Sequence, residues 1–361
     1  MMRKILRLLA RTANIALNIL FVVLLLLADI CPFINPTQWV LPSMLGLLFE
    51  WLLLINLCFV IGWLFTHHKL RSIFSAIALL CSVASMSYTF AIPHVPNKQF
   101  EHTISVVSYN TQRLDDSKKA EQNRILHYIK ETDADVVCLQ EFETRKTSKE
   151  LTLQEVKDYL NYPYSYIDFK LYKGQRQYGI AVFSKYPLLN KQELAFDSKT
   201  NISARCDIVV GEDTMRLFNN HLQSVRFDNN DMALLSDFAD SNDNMKKSAS
   251  TVWHKLSRAY PQRIQQMNCL CNEIQQSPYP VILCGDFNEV PVSYIYRHIA
   301  RSLKDAFLQS GGVGLGHSFC KSIFGIRIDY ILYSPQLSSA DFKIDRLSYS
   351  DHYPVRCKIK W

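Results

Sequence analysis

VILCGDFN, residues 281–288, is a short apolar run that ends in Gly285, Asp286 and Asn288. An apolar run of this length, closed by a turn residue, reads as a strand buried on both faces. The same pattern recurs in both directions along the chain. ISVVSYN (104–110) ends in Asn110, DVVCLQE (135–141) ends in Glu141, and MRLFNNHLQ (215–223) carries His221 and Gln223 at its end. IDYILYS (328–334) opens on Asp329, and Asp351-His352 precede the last strand, PVRCKIKW. GIAVFSK (179–185) and CDIVV (206–210) read as further strands. Ala120–Glu131 and Pro261–Gln276 have helical spacing and lie between strands. Helices alternating with strands predict a layered α/β fold. Polar groups just past strand ends then converge on one rim, where ligands bind.

The residue types gathered there suit phosphate chemistry. Glu141 and Asp351 offer hard carboxylate oxygens, which with Asn110 and water suit Mg²⁺ or Mn²⁺. His221 and His352 have N–H groups that donate to phosphate oxygens. Asp329 has the chemistry to fix one tautomer of a histidine, as an acid does in a catalytic triad.

SYN (108–110), LQE (139–141), NNHLQS (219–224), GDFN (285–288), RIDYIL (327–332) and SDHYPV (350–355) occur in the order found in the endonuclease/exonuclease/phosphatase superfamily. The chain resembles that superfamily over about residues 102–361, with GDFN and SDH as the most specific pieces. Its members include deoxyribonuclease, exonuclease-type repair enzymes, inositol polyphosphate 5-phosphatases and neutral sphingomyelinases. The resemblance implies a four-layered α/β sandwich, with two packed mixed sheets flanked by helices. It implies Glu141 as principal metal ligand, with Asn110 and Asp351 beside the metal. Asp286 would position or deprotonate the attacking water, and Asn288 would donate to a phosphate oxygen. Asp329 would orient His352, which contacts phosphate or acts as base. His221 would contact phosphate near the leaving group, and Gln223, in the same His-Leu-Gln-Ser run, joins the substrate-binding set. Two departures stand out. Asn110-Thr-Gln112 replaces the Asn-x-Asp of some repair nucleases, which weakens the case for a second metal, and His221 stands where those enzymes have Tyr.

Outward from the catalytic part, residues 1–97 form an apolar region. Spans are expected at about 13–30, 40–65 and 73–92, each roughly long enough to cross a bilayer as a helix. Arg3, Lys4, Arg7 and Arg11 precede the first span, Lys69 and Arg71 separate the second from the third, and the loop Cys31–Gln38 has no basic residue. The positive-inside rule then places the N-terminus in the cytoplasm and the catalytic domain, residues 98–361, outside it. Glu50 inside the second span is costly and marks either a functional acid or a hydrogen-bonded packing residue.

Composition narrows the function. Hydrophobic residues make up 48% and charged residues 20%, which excludes a disordered or collagen-like chain. Of the net charge of +7, only +3 falls on residues 98–361, so charge does not nominate a nucleic-acid binder. The ten cysteines show no metal-ligand or disulfide spacing. Ser224–Tyr260 is a polar insertion carrying Leu234, Leu235, Phe238 and Trp253, suited to a lid or an interfacial contact. SGGVGLGHSF (310–319) lacks the Lys-Ser/Thr ending of a phosphate loop and reads as a flexible rim loop. Asn201-Ile-Ser203 matches a glycosylation sequon. The expected function is a membrane-anchored, metal-dependent phosphodiesterase using in-line water attack, with a phospholipid head group as substrate. A tethered nuclease acting on DNA or RNA is the nearer alternative, and an inactive binding module the more distant one. Membrane lipids are the expected partners, and no protein partner is inferred.

Overall fold

The computed structural model describes residues 2–92, 100–147, 150–196, 198, 201–225, 242–321 and 325–361. The HVPNKQ linker and Leu234, Leu235 and Phe238 of the insertion lie outside the described residues. The chain divides into two units. One comprises Met1–Thr89, Phe227–Ser257 and Val292–Tyr294; the other comprises Phe90–Arg226, Arg258–Pro291 and Ile295–Trp361.

The first unit is helical: α1 (Met2–Asp29), α2 (Val40–Gly46), α3 (Phe49–Leu64), α4 (Ser72–Cys81) and α5 (Val83–Thr89). Arg11–Phe33, 23 residues, is long and apolar enough to cross a membrane. The second and third expected spans are not straight helices. Val40–Gly46 and Phe49–Leu64 meet at 71°, and Lys69–Cys81 and Val83–Thr89 meet at 53°. The described residues therefore hold one unbroken candidate span instead of three, or up to three if each bent pair counts as one. The breaks have local causes. Gly46 is a poor helix former at the first. At the second, the Ser82 hydroxyl donates to the Ala78 carbonyl at 2.9 Å, a back-bond that bends helices. Polar side chains tie the helices together. Asn18 Nδ2 donates to Ser75 Oγ at 2.6 Å, Trp63 Nε1 donates to Asn18 Oδ1 at 3.1 Å, and Asn56 Nδ2 donates to the Phe21 carbonyl at 3.0 Å. Such bonds hold apolar helices together where no hydrophobic driving force exists between them. Glu50 is half-buried in the first turn of α3.

The second unit contains two mixed sheets flanked by helices. Its strands are β1 (Thr103–Asn110), β2 (Val136–Arg145), β3 (Tyr164–Lys173), β4 (Arg176–Ser184), β5 (Leu188–Glu193), β6 (Ser203–Val210), β7 (Asp213–His221), β8 (Val281–Asp286), β9 (Lys304–Asp305), β10 (Asp329–Tyr333), β11 (Ser338–Ile344) and β12 (Val355–Lys360). One sheet runs β11-β12-β1-β2-β4-β3 and the other β5-β6-β7-β8-β10-β9. Each has one parallel pair, β1 with β2 and β7 with β8. Alternation along the central strands explains why their sequences are apolar throughout. Val106, Val136, Cys138 and Val182 share a core with Leu217, Ile282, Cys284 and Ile331 of the facing sheet. Their neighbours Val107, Val137, Leu139, Ala181 and Phe183 pack under Ile125, Leu126 and Ile129 of α6 (Arg124–Thr132) and Val156 and Leu160 of α7 (Leu153–Leu160).

Several expectations shift. α6 starts at Arg124 because Asn123 caps it, accepting the N–H groups of Ile125 and Leu126 at 3.1 Å. α8 runs Asn242–Gln275 with Pro261 inside it, so that proline does not begin a helix. Strands β3, β5 and β11 carry no apolar run and were not anticipated from the sequence. Asn201 is buried and donates to the Leu222 carbonyl at 2.9 Å, so the sequon is enclosed. All ten cysteines are free thiols.

Candidate active site

Register delivers the polar residues to one place. His221 at the end of β7 is the cross-strand partner of Asp286 at the end of β8, and Asp286 is in turn the partner of Asp329 at the start of β10. Three functional side chains thus share one rung of one sheet. In the other sheet Asn110 pairs with Gln140, one residue before Glu141. β12 runs antiparallel to β1 with Val355 opposite Ser108, which brings Ser350, Asp351 and His352 beside Asn110; the Ser350 hydroxyl donates to the Asn110 carbonyl at 2.8 Å.

Asp286 is the hub. Its Oδ2 accepts from Asn110 Nδ2 at 3.0 Å and faces His352 Nε2 at 3.7 Å and His221 Nε2 at 3.9 Å. Its Oδ1 accepts the Asn288 N–H at 2.8 Å. The glycine of GDFN has a structural reason. Gly285 has φ +140°, and a Cβ there would stand 1.9 Å from the Asn220 carbonyl oxygen. His352 Nδ1 lies 2.9 Å from Asp329 Oδ2, and its ring meets Phe319 edge-on with centroids 4.9 Å apart. Glu141 sits at a bulge of β2 with φ +50°, and its Oε1 is 3.7 Å from His221 Nε2.

Burial and neighbouring charge set the protonation states. Burial pushes the Asp286 pKa up, against the lowering pull of His352. Burial alone would lower that of His352, but Asp329 and then Asp286 outweigh it and hold the ring at about 10. His352 is therefore an imidazolium at neutral pH. Burial also raises Glu141; His352 opposes that rise, and the Asp351 charge adds to it.

Asp286, Asp329 and His352 have atoms within 4.8 Å of one another, a grouping compatible in outline with a metal. A doubly protonated ring has no lone pair to give, however, so this trio suits proton handling better. The carboxylates of Glu141 and Asp351 offer the hard oxygens that would suit a divalent cation. Glu141 and Asp351 repel each other electrostatically, and a bound cation would relieve that repulsion; Asn110 turns its Nδ2 toward Asp286, while its Oδ1 accepts the Gln112 N–H.

Not every expected residue joins this cluster. Gln223 Oε1 accepts from Ser198 at 3.3 Å and its Nε2 donates to the Ser224 carbonyl at 3.2 Å; no hydrogen bond from it to the other site residues is present among the described residues. Asn288 Nδ2 donates to the Leu222 carbonyl at 3.1 Å, which engages one of its two N–H bonds. The loop 310–319 is not simply a flexible rim. Ser318 at its end is fully buried and accepts the N–H groups of Ile328 and Asp329, at 3.1 and 3.0 Å. Sequence reasoning missed Ser318, Phe319 and Ser350 as supports, and only the nearness of Ser350 to the Asp-His pair signalled one of them.

Residues 107–352 match the family model described as Endonuclease/Exonuclease/phosphatase family. Residues 6–89 match a domain of unknown function, DUF8431. Among solved structures, the chain is similar to an endonuclease/exonuclease/phosphatase from Beutenbergia cavernae DSM 12333, at 16% identity over 72% of each chain with a TM-score of 0.52. Truncated Caenorhabditis elegans TDP2 is similar at 16% identity, over 73% of this chain and 100% of that one, with a TM-score of 0.50. A family protein from Leptotrichia buccalis C-1013-b is similar at 17% identity, over 72% and 100%, with a TM-score of 0.50. At these identities the likeness is one of fold. Comparison with curated protein sequences finds no match.

Proposed function

The chain belongs to the endonuclease/exonuclease/phosphatase family and is a metal-dependent phosphoesterase; we propose that it is a phosphodiesterase anchored to a membrane by its N-terminal helices. The observation that carries the reading is the His352 ring, 2.9 Å from Asp329 and 3.7 Å from Asp286, with His221 beside the same Asp286 and 3.7 Å from Glu141. Glu141 and Asp351, with Asn110, would hold the divalent ion, Mg²⁺ or Mn²⁺. When bound, that ion neutralises the charge that grows on the phosphoryl oxygens. Asp286, with its raised pKa, takes the proton of the attacking water, since a base works best when its pKa nears the working pH. His352 is already protonated and donates to the phosphate instead, while Asp329 keeps its ring in place. His221 and the free N–H of Asn288 are further donors at the rim. Each such donor is worth about 10²–10³ in rate.

The substrate reading is a phospholipid head group. Covalent attachment to apolar helices makes lipids the phosphodiesters of highest effective concentration, and the catalytic part carries a net charge of only +3. One crossing or three would leave the catalytic domain on the side opposite the N-terminus, and the basic residues flanking the first span favour the cytoplasm for that terminus. A cytoplasm-specific reporter fused after Trp361 and found active would overturn this topology. For the activity, full-length protein in mixed vesicles is assayed on its own lipids, on bis(p-nitrophenyl) phosphate and on plasmid DNA. Divalent-dependent turnover abolished by EDTA, with head-group release, supports the reading. Nicking of DNA without head-group release replaces it with a tethered nuclease. No turnover of any diester leaves a binding module.

A further inference from the structure

Gln112, Arg113 and Leu114 follow the catalytic Asn110, and all three have left-handed backbone, with φ 45°, 69° and 54°. None is glycine, and three consecutive side chains in that region are disfavoured sterically. The surroundings enforce the turn. Asn110 Oδ1 accepts the Gln112 N–H at 3.1 Å, Gln112 Oε1 accepts the Asp351 N–H at 3.1 Å, and the Leu114 carbonyl accepts from Asn123 Nδ2 at 3.1 Å. Leu114 is buried, whereas Arg113 is exposed. The guanidinium carbon of Arg113 stands 6.0 Å from the ring centroid of Tyr178, a buried residue of β4. Its charge acts on the Glu141 carboxylate, yet no carboxylate comes within ion-pair distance of it among the described residues.

An exposed cation beside the metal-binding carboxylates, fixed by a strained turn and backed by an aromatic ring, is a preorganised anion contact. We propose that Arg113, supported by Tyr178, is a subsite for a second anionic group of the substrate, carried by the head group beyond the scissile phosphodiester. The proposal rests on the phosphodiesterase reading above and narrows its substrate class. It favours acidic phospholipids whose head group bears a further phosphate. Choline lipids are disfavoured, because the guanidinium repels a quaternary ammonium. The planar fork of Arg matches two phosphate oxygens at once. The ring holds the side chain ready, so little freedom is lost on binding.

The test uses full-length protein in detergent micelles with Mn²⁺. Substrates are dihexanoyl phosphatidylinositol 4-phosphate, dihexanoyl phosphatidylcholine, bis(p-nitrophenyl) phosphate and a thymidine trinucleotide. The wild type should prefer the phosphoinositide to the choline lipid in kcat/KM for diester cleavage. Arg113→Ala should shrink that preference by roughly tenfold to a hundredfold, mainly through KM, and Arg113→Lys should restore part of it. Arg113→Gly should lose the preference while melting no lower than wild type, since glycine accepts φ 69° freely. That variant separates a lost contact from a misfolded turn. A preference unchanged in both Ala and Gly variants, with bis(p-nitrophenyl) phosphate still hydrolysed, overturns the subsite and leaves the phosphodiesterase reading standing. A wild type that prefers the trinucleotide to both lipids overturns the substrate class. Absence of any turnover of bis(p-nitrophenyl) phosphate by the wild type overturns both readings.

Discussion

Asp286 and Asp329 stand opposite one another across the β8–β10 pair, and the His352 ring bridges their carboxylates, 2.9 Å from Asp329 and 3.7 Å from Asp286. The two acids hold unequal places. Asp329 takes the close bond to Nδ1, while Asp286 also faces Asn110 and His221.

Asp329→Asn should therefore keep the fold and the metal affinity but lower kcat by about 10²–10⁴. Calorimetric titration with Mn²⁺ beside steady-state kinetics checks this. A large loss of metal affinity in this variant would invert the roles given to Asp329 and Glu141.

Glu141→Gln removes one charge from the carboxylates proposed to hold the cation. Its Mn²⁺ dissociation constant should rise by about tenfold to a hundredfold, with part of the turnover recovered at high Mn²⁺. If affinity is unchanged, Glu141 is not a ligand.

The raised pKa of His352 has a defined sign. Its ordinary value is 6.5 and its folded value about 10. The stability it contributes is fully present below about pH 6.5 and is lost as pH climbs toward about 10. In chelator-treated protein the melting temperature should fall across that window, and His352→Gln should flatten the fall. Parallel curves for the two proteins would show that the ring is neutral in the folded state.

Gly285→Ala forces a methyl group against the Asn220 carbonyl oxygen at a φ of +140°. It should cost about 1–3 kcal/mol or more and part β8 from β7 beside Asp286. A melting temperature and turnover equal to wild type would show that the strand pair accommodates the methyl group.

The central strands and most of the rim were legible because two-sided burial writes an apolar run that stops where chemistry begins. β1, β2 and β8 show this directly. Strands β3, β5 and β11 lie at or near sheet edges, keep exposed faces and so look like loops. Gln223 sat in a persuasive motif, but its amide is turned to Ser198 and Ser224. Spacing alone does not report side-chain direction past the end of a strand. The supports at Ser318 and Phe319 depend on contacts between distant segments, which no local pattern encodes. The breaks in the second and third apolar stretches were hidden because hydropathy measures length and composition, not straightness.

The pairing of β1 with β12 sets when the chemistry can begin. Asn110 belongs to the first strand of its sheet to be synthesised, whereas His352 arrives just ahead of the last. A nascent chain can fold its helices and dock several strands before Asp351 and His352 join Asn110 at the rim. The rim is thus a product of long-range pairing: Asn110 and His352 meet only after β12 has docked on β1.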